Sequence, residues 1–303
     1  MNIISLIIGF ILLIKGADLF VDSASGIAKR FGIPSLIIGM TIVAMGTSAP
    51  ELSVSITSAM KGLNDMSIAN VVGSNIFNTL MILGVSSLFN KLKISSYKDV
   101  IAMMMSSTML AVCCINNKLG VMNGIALLVM FALFMLSQIK DVKNDKAQEV
   151  EDEVHHRPMS LTVALGIIGM CAIIGGGNLV VNSASVIATN LGMSENLVGL
   201  TIVAMGTSLP EFITSVIATR KGEIDIAVGN VVGSNIFNIL FVLGIAGIIN
   251  PMTVSFVAIC DIAILVIVSI LILFVTRKKE INKYNGLMLI ALYICYLCYT
   301  IIR

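Results

Sequence analysis

The sequence contains no tryptophan and only two histidines, and charged residues make up 12% of its 303 positions. Soluble domains carry about 25% charged residues, so an ordinary water-soluble domain is excluded. The six cysteines (Cys113, Cys114, Cys171, Cys260, Cys295 and Cys298) all fall in apolar runs, never at paired spacing in a polar loop. This argues against a disulfide framework or zinc site and leaves thiols facing lipid or core. Without tryptophan, an interfacial aromatic belt must use Tyr and Phe. The two histidines, His155 and His156, sit together in a loop of mixed charge and read as solvated side chains. No catalytic group, cofactor or nucleic-acid partner is called for, and the chain is expected to act as a monomer, not as an enzyme.

Apolar runs of about twenty residues dominate instead, each long enough to cross a bilayer as a helix. Ten spans are predicted, near 2–28, 34–60, 66–89, 98–117, 119–139, 159–188, 194–219, 225–249, 251–276 and 284–302. The first run has neither a basic lead-in nor a small-residue cleavage site, so it reads as a span and not as a cleaved signal. The one long polar stretch lies between the fifth and sixth spans. It divides the chain into a five-helix unit at 1–139, a linker at 140–158 and a second five-helix unit at 159–303. With the N-terminus outside, about 15 Lys and Arg face the cytoplasm and about three face outward. The expected protein is therefore all-α and polytopic, N-out and C-out in the cell membrane, with a cytoplasmic central loop.

The chain carries one stretch twice. Residues 39–84 and 199–244 match at about 27 of 46 positions at an offset of 160, a repeat strong enough to set the architecture. Five spans separate the copies, so the two must cross the membrane in opposite directions. In many secondary transporters this inverted plan places the binding site near the midplane, between the repeats. A weaker correspondence joins the first and sixth spans: GADLFVDSAS (16–25) aligns with GGNLVVNSAS (176–185), facing Asp18 and Asp22 with Asn178 and Asn182. These long, glycine-containing spans read as a mobile gate. Asp18 and Asp22, with Lys15 nearby, read equally as groups that pair or hydrate at the interface.

Each repeat contains G-T-S-x-P-E. Pro50 and Pro210 have no N–H to donate and displace the carbonyls of Gly46 and Gly206, breaking the helix. Broken backbone persists at membrane depth only beside a cavity or an ion. The break is expected to leave the Ala44 and Ala204 oxygens at the partially negative end of a half-helix, which suits cations. Ser48-x-x-Glu51 and Ser208-x-x-Glu211 also match a capping box. Capping does not explain a carboxylate within a span, which costs roughly 2.5–3.5 kcal/mol, so Glu51 and Glu211 read as functional. Further on, Asn70, Ser74 and Asn78, and likewise Asn230, Ser234 and Asn238, recur every four residues along one helical face. Asn70, Asn75, Asn230 and Asn235 read as helix–helix contacts; Ser74, Asn78, Ser234 and Asn238 read as ion ligands.

With Thr47, Ser48, Thr207 and Ser208, these groups form an all-oxygen set. Such a set suits a hard cation with six to eight ligands at about 2.3–2.6 Å, namely Ca²⁺, with Na⁺ able to share the ligands.

G-T-S-x-P-E followed by G-N-x-x-G-S-N-I-F-N, twice and inverted, resembles the α-repeats of the calcium/cation antiporter superfamily, with prokaryotic sodium/calcium exchangers the nearest branch. The resemblance spans the chain. It implies a Na⁺/Ca²⁺ antiporter with one Ca²⁺ site and three Na⁺ sites, working by alternating access and extruding Ca²⁺. By motif position, Glu51, Glu211, Thr47 and Thr207 would bind Ca²⁺. Ala44, Ser48, Ala204, Ser208, Ser74, Asn78 and Ser234 would line Na⁺ sites, and the first and sixth helices would slide as the gate. Many exchangers carry an aspartate where Asn238 stands, so this chain departs from them by one possible charge. A Ca²⁺/H⁺ or K⁺-dependent exchanger is the nearer alternative. A ten-helix metabolite transporter is the remoter one, and the absence of Trp and of any Arg deep in a span weighs against it.

Overall fold

The computed structural model describes residues 2–144, 158–193 and 204–302; the histidine pair and the start of the seventh predicted span lie outside them. The described residues are almost wholly helical. In chain order they form α1 (Asn2–Phe31), α2 (Ser35–Thr47), α3 (Ala49–Met60), α4 (Asn64–Phe89), α5 (Tyr97–Cys113), α6 (Val121–Asn144), α7 (Met159–Asn190), α8 (Ala204–Gly206), α9 (Leu209–Arg220), α10 (Ile224–Ile249), α11 (Phe256–Val275) and α12 (Lys283–Ile302). Among the described residues, seven helices are long and apolar enough to cross a membrane, or eight if the bent pair α2–α3 counts as one crossing. Large apolar side chains also cover the outside: Ile3, Ile7, Ile11 and Ile14 of α1 are each about half exposed or more. A helical bundle clad in aliphatic residues is a polytopic membrane protein.

The core lies in α4 and α10, whose most apolar windows are 72% and 78% buried, against 17–39% for the other long helices. Both contain π-helical segments, Asn78–Ile82 in α4 and Phe237–Val242 in α10. A third, Gly39–Val43, lies in α2. A π turn adds one residue to the helical circuit and often marks a functional site. Here two of them carry Asn78 and Asn238.

The longest helices, α1 and α7, pair along their length. Gly9 meets Gly176 and Gly16 meets Gly169; a Cβ added to Gly169 would fall 2.7 Å from the Gly16 carbonyl oxygen. Rising numbers on one helix meet falling numbers on the other, so these corresponding helices run antiparallel. Small residues let their backbones approach closely.

Two short ribbons join the chain's halves. β1 (Leu92–Lys93) pairs antiparallel with β4 (Glu280–Ile281), and β2 (Lys118–Leu119) pairs with β3 (Met252–Thr253). Each ribbon takes one strand from each half. The helices repeat this exchange: α4 packs on α12, and α10 packs on α6.

Candidate functional site

Both G-T-S-x-P-E stretches fold as breaks between helices. α2 ends at Thr47, Ser48 lies outside helical geometry, and α3 leaves at 49° with Pro50 in its first turn. Proline tolerates that position because its missing N–H would have no helical partner there. In the second copy Ser208 precedes α9, and Pro210 stands in its first turn. Glu51 and Glu211 therefore occupy the first turns of α3 and α9, where the helix dipole favours a negative charge.

The expected capping box does not form. Neither Ser48 nor Ser208 caps its own helix. The Ser48 hydroxyl donates to Glu211 Oε1 at 2.8 Å, and the Ser208 hydroxyl donates to Glu51 Oε1 at 3.0 Å. Each serine thus serves the other half's carboxylate, since a charged acceptor makes a stronger hydrogen bond than a backbone N–H pairing can offer. The Ala44 carbonyl stands in the last turn of α2, at the half-helix end where the motif places it. It accepts the Ser48 N–H at 3.0 Å and lies 3.4 Å from the Ser234 hydroxyl.

A second layer aligns the first. The Asn230 amide donates to the Glu211 carbonyl oxygen at 3.3 Å and to Ser215 Oγ at 2.9 Å, while its Oδ1 lies 3.1 Å from the Thr47 hydroxyl. Asn70 repeats the pattern with the Glu51 carbonyl, Ser55 Oγ and the Thr207 hydroxyl. With donors and acceptor all engaged, Asn70 and Asn230 hold neighbours in place. Asn75 and Asn235 bridge α4 and α10: Asn75 donates to the Asn235 carbonyl at 3.1 Å, and Asn235 to Thr79 Oγ1 at 2.7 Å. All four asparagines thus fit their reading as contacts between helices. Ser55 and Ser215 escape a reading centred on the motif, yet each stands four residues after a glutamate in both copies.

Thr47, Ser48, Glu51, Ser74, Asn78, Ser208, Glu211, Ser234 and Asn238 are all at most 1% exposed. Ala44 is buried with them, Thr207 is half-buried, and Ala204 opens α8 with its side chain outside the described residues. The Asn238 amide reaches Ser74 Oγ at 3.4 Å. Several polar atoms in this set have no hydrogen-bond partner among the described residues: Glu51 Oε2, Glu211 Oε2, Asn238 Oδ1 and both polar atoms of Asn78. A buried carboxylate oxygen without a partner is costly unless a cation takes the place of water. The vacant valences are mostly oxygen, and Asn78 can turn its own oxygen toward a cation.

Asp18 and Asp22 pair, but not with Lys15. Lys221, in the turn after α9, lies 2.7 Å from Asp18 and 2.6 Å from Asp22.

The chain is similar to known proteins over nearly its whole length. A family model described as "Sodium/calcium exchanger protein" matches residues 1–140 and 161–302. The putative antiporter CaxA of Alkalimonas amylolytica is 36% identical over 97% of this chain and 96% of its own length. The sodium/calcium exchanger MaX1 of Methanosarcina acetivorans is 30% identical over 98% and 97%. A solved structure of the sodium-calcium exchanger NCX_Mj superposes with a TM-score of 0.87 at 28% identity, covering 98% of this chain and 97% of that one. The chain belongs to the sodium/calcium exchanger family.

Proposed function

We propose that this protein is a Na⁺/Ca²⁺ antiporter in which one Ca²⁺ and several Na⁺ compete for the oxygens around Glu51 and Glu211. The observation that carries this reading is the pair of buried glutamates, each with one oxygen held by a serine of the opposite half and the other without a partner. Two carboxylates balance one Ca²⁺. Hydroxyls of Thr47, Thr207, Ser48 and Ser208, side chains of Ser74, Ser234, Asn78 and Asn238, and carbonyls of Ala44 and Ala204 complete the ligand sets. Six to eight oxygens at about 2.3–2.6 Å suit Ca²⁺, and Na⁺ fits the same cage with less charge.

The architecture we infer is ten spans in two inverted units, 1–139 and 159–303, joined by a cytoplasmic linker at 140–158. α5 and the segment ending in α9 supply the crossings beyond the eight counted above. The reciprocal ribbons support this alternation. β1 and β4 fall in loops after the third and ninth spans, and β2 and β3 in loops after the fourth and eighth. The first ribbon is flanked by Lys91, Lys278 and Lys279, as expected of a cytoplasmic face. In this scheme α1 and α7 slide together to expose the cluster to either side. An empty cluster keeps two uncompensated carboxylates and resists crossing, which enforces exchange; the inward Na⁺ gradient then drives Ca²⁺ out of the cell.

The site is tested by growing crystals with Sr²⁺ in place of Ca²⁺ and recording anomalous density at increasing Na⁺. A peak between Glu51 and Glu211 that Na⁺ displaces is expected. A peak away from both, or one that Na⁺ leaves unchanged, contradicts the shared site. Flux that follows a pH gradient, or that requires K⁺, favours the proton-coupled or K⁺-dependent reading instead.

A further inference from the structure

The internal repeat supplies a control within the molecule, because most positions in one half have a counterpart 160 residues away on the opposite face. Around Lys221 the two faces differ. Its ammonium bridges Asp18 and Asp22 of α1 and also donates to the Asp18 carbonyl at 2.9 Å. Two residues on, Glu223 accepts the Ser25 hydroxyl at 2.5 Å and lies 3.9 Å from Lys29 Nζ. Both acidic and basic partners on α1 are therefore tied to the turn that follows α9, the helix carrying Glu211. Accordingly α1 packs along α9, whereas α7 has at most marginal contact with α3.

At the opposite face the counterpart of Lys221 is Lys61, so the lysine is kept. Asp18 and Asp22, however, correspond to Asn178 and Asn182, Glu223 to Leu63, and Lys29 to Thr189. Asn178 and Asn182 are exposed. Ser185, counterpart of Ser25, has a buried hydroxyl with no hydrogen-bond partner among the described residues. One face has every part of an ion-pair network between a long helix and a glutamate-bearing helix; the other keeps only the lysine and the serine.

We propose that Lys221 with Asp18 and Asp22, and Glu223 with Ser25 and Lys29, form a one-sided latch that holds α1 against α9 and biases the ion-free carrier toward opening at the opposite face. The proposal rests on the alternating-access reading given above. An isolated surface ion pair contributes little. Lys221 is different in kind: its side chain is 26% exposed, and it is shared by two carboxylates and a carbonyl. Partial burial by itself would lower its pKa, but the hydrogen bonds and charges of Asp18 and Asp22 outweigh this and hold it above the ordinary lysine value. Lys221 therefore keeps its charge at physiological pH. A network of this size is expected to shift the balance between the two open forms by about tenfold.

Two variants test the latch, one at each face. Lys221→Gln with Glu223→Gln releases it. Asn178→Asp with Asn182→Asp builds its equivalent at the other face, using Lys61 already in place. In oriented membrane vesicles, apparent Ca²⁺ affinity is measured separately at each face. Release should change the ratio of the two affinities about tenfold in favour of the latched face, and the built latch, by closing the opposite face, should move the ratio the same way. A common change at both faces, or no change in the ratio, overturns the proposal. A second readout does not depend on transport. Spin labels at Phe31→Cys and Lys93→Cys, in a background with the native cysteines replaced, report the distance between the end of α1 and the core without ions. Release should populate a longer distance that the native pairing suppresses, and an unchanged distribution overturns the latch. If the unaltered protein shows no exchange while the label distance responds as expected, the antiport reading fails and the latch stands. Should the release variant fail to fold, the built latch decides alone.

Discussion

Glu211→Gln is the most informative single substitution. Glutamine keeps the shape of the side chain and an oxygen to accept the Ser48 hydroxyl, now 2.8 Å from Glu211 Oε1. What changes is the other oxygen, buried and without a partner, which gives way to an NH₂ group pointing its hydrogens where a cation would sit. Removing one member of a buried charge pair costs about 3–5 kcal/mol, a loss of about 10²- to 10³-fold or more in Ca²⁺ affinity. Na⁺, with half the charge, should lose about half that free energy where it shares the carboxylate. The empty protein should move in the opposite direction: with one fewer uncompensated buried carboxylate, its melting temperature without Ca²⁺ should match or exceed that of the unaltered chain. Equilibrium ⁴⁵Ca²⁺ binding and thermal unfolding of the same purified sample provide the assay. Retained Ca²⁺ affinity, or loss of affinity that merely tracks unfolding, refutes the assignment; Glu51→Gln should behave alike.

Further outcomes follow from neighbouring residues. Asn230→Ala leaves the Ser215 hydroxyl and the Glu211 carbonyl without the amide they engage, costing about 1–3 kcal/mol for each buried group left unsatisfied. It should lower both melting temperature and Ca²⁺ affinity, since Thr47 loses its anchor. Asn75→Ala removes a bridge to the Asn235 carbonyl away from the glutamates, so unfolding measurements should show lower stability with Ca²⁺ affinity unchanged. Asn238→Asp adds a third negative charge beside Ser74; Ca²⁺ titration should show tighter binding and flux a lower turnover, whereas no change in either would remove Asn238 from the site. Gly169→Val drives its side chain into the Gly16 carbonyl and wedges α1 from α7, so flux should fail while equilibrium ion binding persists.

Much of this site is legible in the sequence because the chain states it twice. A carboxylate after a proline in an apolar run is unusual once; at an offset of 160 it marks Glu51 and Glu211 as partners. The four-residue spacing places Asn70 with Asn78, and Asn230 with Asn238, on one face; the hydrogen bonds then separate Asn78 and Asn238, with unpartnered atoms, from Asn70 and Asn230, whose polar groups are fully engaged. What the sequence conceals is the crossing between halves. Ser48 looks like the cap of its own helix, and only the approach of α2 to α9 and α10 gives its hydroxyl to Glu211. Asp18 and Asp22 lie within about two turns of Lys15 but find Lys221, about two hundred positions away. Local spacing reports which groups share a helical face; it carries no information on which distant helix meets that face.

The central claim is that Ca²⁺ movement is coupled to Na⁺ through the two glutamates. It is tested most directly by ⁴⁵Ca²⁺ uptake into proteoliposomes loaded with Na⁺ and diluted into Na⁺-free buffer, beside Na⁺-equilibrated vesicles and vesicles carrying Glu51→Gln. Uptake only under the outward Na⁺ gradient, and absent from the variant, is the predicted result; its response to a clamped membrane potential reports how many Na⁺ move per Ca²⁺. Uptake indifferent to Na⁺, or undiminished without the Glu51 carboxylate, contradicts the account.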